Sequence, residues 1–234
     1  MTEIIITGLL IFIAFLVSAS CGLGGSLILI PGLSWILGIK EGIVVSAVLL
    51  GINNLVKVFF YRKDIRFRPS LRLLVFMVAG AIVGALLMMR ADPKLLSLFL
   101  LFHILLSFFI QVKSSEASRK TAGSVFSFLS GFCSGLAGTS GPLKGLAVKT
   151  YMANKAEIVA TASLLSFATD STKAIIYLNN FSSDILQAQW LVYSILVMPL
   201  ATGLGRYLNR NMSVKAYEAL FYFVMSGYVL RLLI

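Results

Sequence analysis

Two short runs in this chain combine residue types that suit a small anion inside an apolar environment. One is Ser20-Cys21-Gly22-Leu23-Gly24-Gly25-Ser26. The other is Ser134-Gly135-Leu136-Ala137-Gly138-Thr139, continuing into Ser140-Gly141-Pro142. Each interrupts a hydrophobic stretch. Where a helix starts, its first amides lack intrahelical partners and carry about half a positive charge, which makes the start an anion site. Gly22, Gly24, Gly25, Gly135, Gly138 and Gly141 let a ligand approach the backbone closely. Ser20, Ser26, Thr139 and Ser140 add hydroxyl donors, and Lys144, one turn beyond the second run, adds a full charge. The plainer account is that small residues let membrane helices pack closely. That suffices for an isolated glycine. It serves less well for two matched clusters, because irregular backbone at membrane depth is tolerated only when buried in protein or lining a cavity.

A second constellation also occurs twice. Asn53, Asn54, Lys57 and Tyr61 recur as Thr169, Asp170, Lys173 and Tyr177. Asp170 and Lys173 are three apart, on one helical face, and can neutralise each other. Asn54, Lys57, Asp170 and Lys173 are candidates for coupling or gating, with Asp170 as a proton-coupling carboxylate. For the two lysines the plainest account is snorkelling to a nearby membrane edge. His103, in mid-span, reads as a packing residue.

The elements that must position these groups are membrane helices. Hydrophobic residues make up 59% of the chain and charged residues 12%, half the charge of a soluble domain, and mean hydropathy is +0.95. Several stretches approach the twenty apolar residues that cross a bilayer. The early charge is Glu3, without a basic flank or cleavage site, so no signal peptide is expected. The fold class expected is an all-α polytopic membrane protein of two inverted repeats, each a broken, re-entrant-like helical hairpin plus three transmembrane helices. Repeat one covers 1–112, with a hairpin at about 4–38 and spans at about 42–60, 73–89 and 95–112. A cytoplasmic linker covers 113–121. Repeat two covers 122–234, with a hairpin at about 122–149 and spans at about 157–177, 185–205 and 216–230.

The repeat rests on Glu41, Asn54, Lys57 and Tyr61 matching Glu157, Asp170, Lys173 and Tyr177 at a constant offset of 116, and on glycine runs matching at 113. The inversion rests on charge. Arg62, Lys63, Arg66, Arg68 and Arg72 follow the third segment of repeat one, whereas its counterpart loop, Asn179 to Asp184, holds no basic residue. The positive-inside rule then puts equivalent loops on opposite faces and both termini outside. The net charge of +11 is accounted for by such loops, so no nucleic-acid partner is expected; the bilayer is the partner.

The ordered set Gly22-Leu23-Gly24-Gly25, Val45-Ser46-Ala47, Tyr61-Arg62-Lys63, Gly135-Leu136-Ala137-Gly138 and Thr161-Ala162-Ser163 resembles the TauE/SafE family of membrane permeases over nearly the whole chain. The resemblance implies an exporter in a bacterial inner membrane, with a small sulfur-containing anion such as sulfite or an organosulfonate as substrate. No enzyme activity, cofactor or metal is expected. No Walker motif is present, so coupling is to a gradient. Two alternatives stand beside the carrier. One is a passive anion channel. The other is a transmembrane thiol–disulfide electron conductor using Cys21 and Cys133, which lie at almost symmetric places beside the two glycine runs.

Overall fold

A computed structural model describes residues 2–21, 25–112, 121–149, 151–152, 154–181, 188–213 and 219. Among the described residues every regular element is helical: α1 (Thr2–Cys21), α2 (Gly25–Leu37), α3 (Ile39–Tyr61), a 3-10 turn at Arg62–Asp64, α4 (Phe67–Arg90), α5 (Pro93–Val112), α6 (Thr121–Ala137), α7 (Gly141–Lys149), α8 (Lys155–Leu178) and α9 (Ala188–Asn211). Two are long and apolar enough to cross a membrane, Ile39–Asp64 and Phe67–Arg90. Shorter apolar helices include Thr7–Ser20, Gly25–Leu37, Pro93–His103 and Gly123–Ala137. The helix pairs α1–α2 and α6–α7 fall on the stretches read as hairpins. The tip at 22–24, most of the linker at 113–121 and nearly all of the expected span at 216–230 lie outside the described residues.

Two boundaries differ from expectation. The basic segment Arg62–Arg72 is not all loop, because α4 already begins at Phe67. Pro69 falls in the first turn, where no N–H is needed for the ladder. The helix expected to end at 205 continues to Asn211. Its added polar turn has partners in the fold: Arg206 stacks over the Tyr61 ring at 5.5 Å, and Asn209 Nδ2 donates to the Ser20 carbonyl at 2.6 Å.

α4 is apolar outside and small inside. Leu71, Val75, Phe76, Val83, Leu86 and Leu87 are exposed, while Gly80, Ala81, Gly84 and Ala85 are buried. In water such an outer face would be an unusually large apolar patch; against lipid tails it is matched to its solvent. The inner face meets α6 backbone to backbone. A β-carbon on Gly84 would lie 2.2 Å from the Phe132 carbonyl oxygen, and one on Gly135 would lie 2.3 Å from that of Ala81. Gly80-x-x-x-Gly84 and Gly131-x-x-x-Gly135 thus form the close small-residue crossing that membrane helices use when no hydrophobic effect drives them together.

α3 and α8 form the central pair and run antiparallel. Tyr61, at the end of α3, clusters with Val159 and Ala160 near the start of α8. Tyr177, near the end of α8, packs in the core cluster that holds Ile43 and Val44 near the start of α3. Arg66, just before α4, pairs with Glu157 at the start of α8 at 2.9 Å.

Candidate anion site at two helix breaks

The helices flanking the two breaks are placed alike. Helix α1 stops at Cys21 and α2 starts at Gly25; α6 stops at Ala137 and α7 starts at Gly141. All four positions are 116 apart, pair by pair. The register across the breaks is therefore 116, not the 113 suggested by matching the glycine runs directly, and the second break is Gly138-Thr139-Ser140. Gly138 has φ +79, in the left-handed region where a helix commonly ends on glycine. A β-carbon there would also strike the Ile30 side chain at 2.6 Å.

A helix that ends inside the protein leaves its last four carbonyls without intrahelical donors, and buried carbonyls need partners. The chain answers this at both breaks with one lysine and one tyrosine. Lys57 Nζ donates to Ser18 Oγ at 2.7 Å and reaches the Ser18 carbonyl at 3.5 Å. Tyr61 Oη donates to the Ala19 carbonyl at 3.1 Å. At the second break Lys173 Nζ donates to Ser134 Oγ at 3.1 Å, reaches the Ser134 carbonyl at 3.5 Å and donates to the Gly138 carbonyl at 2.8 Å. Tyr177 Oη donates to the Gly135 carbonyl. Both lysines are 1% exposed or less. They do not snorkel. Their ammoniums sit at the negative ends of α1 and α6, where a cation is stabilised by the helix dipole.

The outgoing helices present the opposite polarity. The starts of α2 and α7 flank a small polar cavity lined in part by Gly25, Ser26, Gly138 and Ser140. Ser26 Oγ and Thr139 Oγ1 share a 3.0 Å hydrogen bond that joins the two breaks. Lys144, on the first turn of α7, also lines the cavity; its ammonium is buried and donates to Ser166 Oγ on α8. Across the cavity Asn54 Nδ2 donates to Asp170 Oδ2 at 2.7 Å. These two residues are themselves 116 apart, so equivalent positions of the two halves meet. Asp170 Oδ1 pairs with Lys173 at 2.7 Å, and its carboxylate is thereby neutralised. The cavity volume is about 20 Å³, room for about one ordered water.

Of the residues read from the sequence, Gly25, Ser26, Gly138, Ser140, Lys144, Asn54, Lys57 and Asp170 come together around this cavity. Others stand behind it. Ser20 Oγ donates back to the Leu16 carbonyl at 2.8 Å, Gly135 belongs to the α4 crossing, Thr139 braces Ser26 and Lys173 caps α6. Gly141 begins α7, and Gly22 and Gly24 lie outside the described residues. His103 is buried. Ser18, Leu50 and Ser166 also line the cavity without being candidates from the sequence, as does Ser134, which opens the second run but was not among its named donors. Ser18 and Ser134 share the 116 offset of the lysines that hold them, which was the available signal. At this register Cys21 matches Ala137 and Cys133 matches Val17, so the symmetry that favoured a thiol–disulfide pair is absent. Cys133 is a buried free thiol.

The family model described as "Sulfite exporter TauE/SafE" matches residues 7–232. No curated protein and no solved structure gives a significant match.

Proposed function

The chain belongs to the TauE/SafE sulfite exporter family of membrane transporters, and from that premise we propose that it exports a small sulfur-containing anion, sulfite or an organosulfonate, by alternating access around the paired helix breaks. The observation that carries this is the buried ammonium of Lys144 beside the converging starts of α2 and α7. Lys57 and Lys173 serve helix ends, and Asp170 serves Lys173. Lys144 is held by a neutral hydroxyl, so a sulfur oxyanion can take its charge without displacing a carboxylate. Gly25, Ser26, Ser140 and the amides of the helix starts supply the remaining donors.

The repeats are inverted in this reading, with both termini outside and the membrane a bacterial inner membrane. The antiparallel α3 and α8 support it, as do the lysine–tyrosine caps repeated 116 residues apart. With room for about one water in its cavity of about 20 Å³, the site must widen before an oxyanion enters. A break between α1 and α2, or between α6 and α7, is where one arm can move without unwinding a whole span.

Purified protein reconstituted into liposomes tests the reading. Sulfite, sulfoacetate and taurine, with inorganic anions for comparison, are screened for thermal stabilisation and for flux. Stabilisation and flux with at least one sulfur oxyanion are expected; silence across all of them removes the substrate class.

A further inference from the structure

Rows of buried hydroxyls on α6 and α8 lead up to the cavity-lining Ser134 and Ser166, and their counterparts in the first half are mostly apolar. On α6, Ser127, Ser130 and Ser134 are three and four apart and so share one face. All three are at most 2% exposed, and Ser124, one turn earlier, is 7% exposed. On α8, Ser163, Ser166 and Asp170 repeat the same spacing and are buried as well. Their counterparts 116 residues earlier are Gly8, Ile11, Ala14 and Ser18 on α1, and Ala47, Leu50 and Asn54 on α3. Beyond the cavity itself the first half presents no hydroxyl at these positions.

Three hydroxyls of the α6 row have protein partners; Ser127 does not. Ser130 Oγ reaches the Ser140 carbonyl at 3.5 Å, facing the second break. Ser127 Oγ is fully buried without a protein partner, a cost of about 1–3 kcal/mol that an alanine would not incur. From Ser124 to Ser134 the row is about 15 Å long at the helical rise, half of a hydrocarbon core of about 30 Å. At its outer end Arg72 Nε donates to Ser124 Oγ at 3.1 Å, and Arg66 pairs with Glu157 at the start of α8. The row therefore runs from a basic mouth, where α6 and α8 both begin, to the cavity at Ser134 and Ser166.

We propose that this hydroxyl-lined face is the half-pathway by which the anion reaches the cavity from the face bearing Arg66 and Arg72, and that the opposite approach is an apolar seal. The proposal rests on the transporter reading for the identity of its cargo. Ser127 offers a hydrogen bond to a passing oxyanion or its water, and Ile11, at the matching place, excludes both.

The test uses the full chain in liposomes, with Cys21→Ser and Cys133→Ser as background. Single variants Ser127→Cys, Ser163→Cys, Ile11→Cys and Ala47→Cys are exposed to an anionic, membrane-impermeant thiol reagent on each face separately. Ser127→Cys and Ser163→Cys are expected to react from the Arg66/Arg72 face about tenfold faster than the other two react from either face, a ratio equivalent to one hydrogen bond. Equal rates, or faster reaction at Ile11→Cys and Ala47→Cys, overturn the pathway. In a second arm Ser127→Val lowers flux while the unfolding temperature holds or rises, because the lost hydroxyl had no protein partner; unchanged flux also overturns the proposal. Sulfite flux measured beforehand separates the two readings. Asymmetric labelling without sulfur-anion flux removes the cargo and leaves the pathway, and flux with symmetric labelling does the reverse.

Discussion

Ile28, Leu50 and Asn54 of the first half occupy places that Lys144, Ser166 and Asp170 hold 116 residues later, yet in both halves a lysine and a tyrosine cap the end of the broken helix. The difference follows from what each feature must satisfy. Every helix that ends in the membrane needs donors for its last carbonyls, so each break carries its own Lys and Tyr. A ligand at the meeting point of the halves is single and is not duplicated with them. Its contacts are free to differ between the halves, and in the proposed function the uncommitted charge, Lys144, lies in the second. The first half supplies a helix start, Ser18, Ser26, Asn54 and the Lys57 ammonium, which already serves the end of α1; the second supplies a helix start, Ser134, Ser140, Ser166, the Asp170 carboxylate and the Lys144 ammonium, which serves no helix end.

The pair Asn54 and Asp170 should show the largest asymmetry. Asp170→Ala leaves the Lys173 ammonium buried without its carboxylate, and breaking a buried ion pair from one side costs about 3–5 kcal/mol. Asn54→Ala removes one hydrogen bond, worth about 1–3 kcal/mol when its partner stays buried. Thermal unfolding in detergent should place Asp170→Ala well below Asn54→Ala. Equal losses would mean that the carboxylate is not structurally committed to Lys173, and would return it to the pool of coupling groups.

Exchanging Lys144 for its counterpart is next in size. Lys144→Ile removes the cationic donor and leaves the rest of the cavity in place. Substrate affinity should fall by about ten- to a hundredfold, the equivalent of a charged hydrogen bond of about 1.5–3 kcal/mol, with protein yield and unfolding temperature little reduced. An affinity that survives the exchange would break the argument that the second half holds the ligand.

Much of this arrangement was legible in the chain. The interrupted hydrophobic stretches marked α1–α2 and α6–α7, and Lys57, Tyr61, Lys173 and Tyr177 marked a common scaffold. Their task was not legible, because the depth of a lysine in a helix says nothing of which carbonyl lies opposite. Snorkelling is the default for a lysine near a span's end; here a broken helix end nearby supplied a better partner than the membrane edge. The glycine runs misled in a different way. Matching them letter by letter gave a shift of 113, since Gly135 and Gly138 imitate Gly22 and Gly25. Gly135 in fact serves the crossing with α4, and the ends of α1 and α6, the starts of α2 and α7 and the starts of α3 and α8 keep the 116 register. The serines of α6 passed unnoticed because a serine in an apolar helix is ordinary until its hydroxyl is found buried without a partner.

The smallest effect tests the symmetric part of the comparison. Tyr61 and Tyr177 make the same bond to carbonyls at the same place on α1 and α6. Tyr61→Phe and Tyr177→Phe each remove one hydroxyl and keep the ring. Hydrogen bonds within membrane proteins average about 0.6 kcal/mol, so each variant should lower the unfolding temperature slightly and by a similar amount, without changing anion affinity. The two caps are not identical, since Arg206 also stacks on Tyr61; that stacking engages the ring face and persists in phenylalanine. If Tyr177→Phe alone weakened anion binding, its cap would be part of the ligand's half of the site. The division between a duplicated scaffold and a one-sided site would then fail at the place where the two halves look most alike.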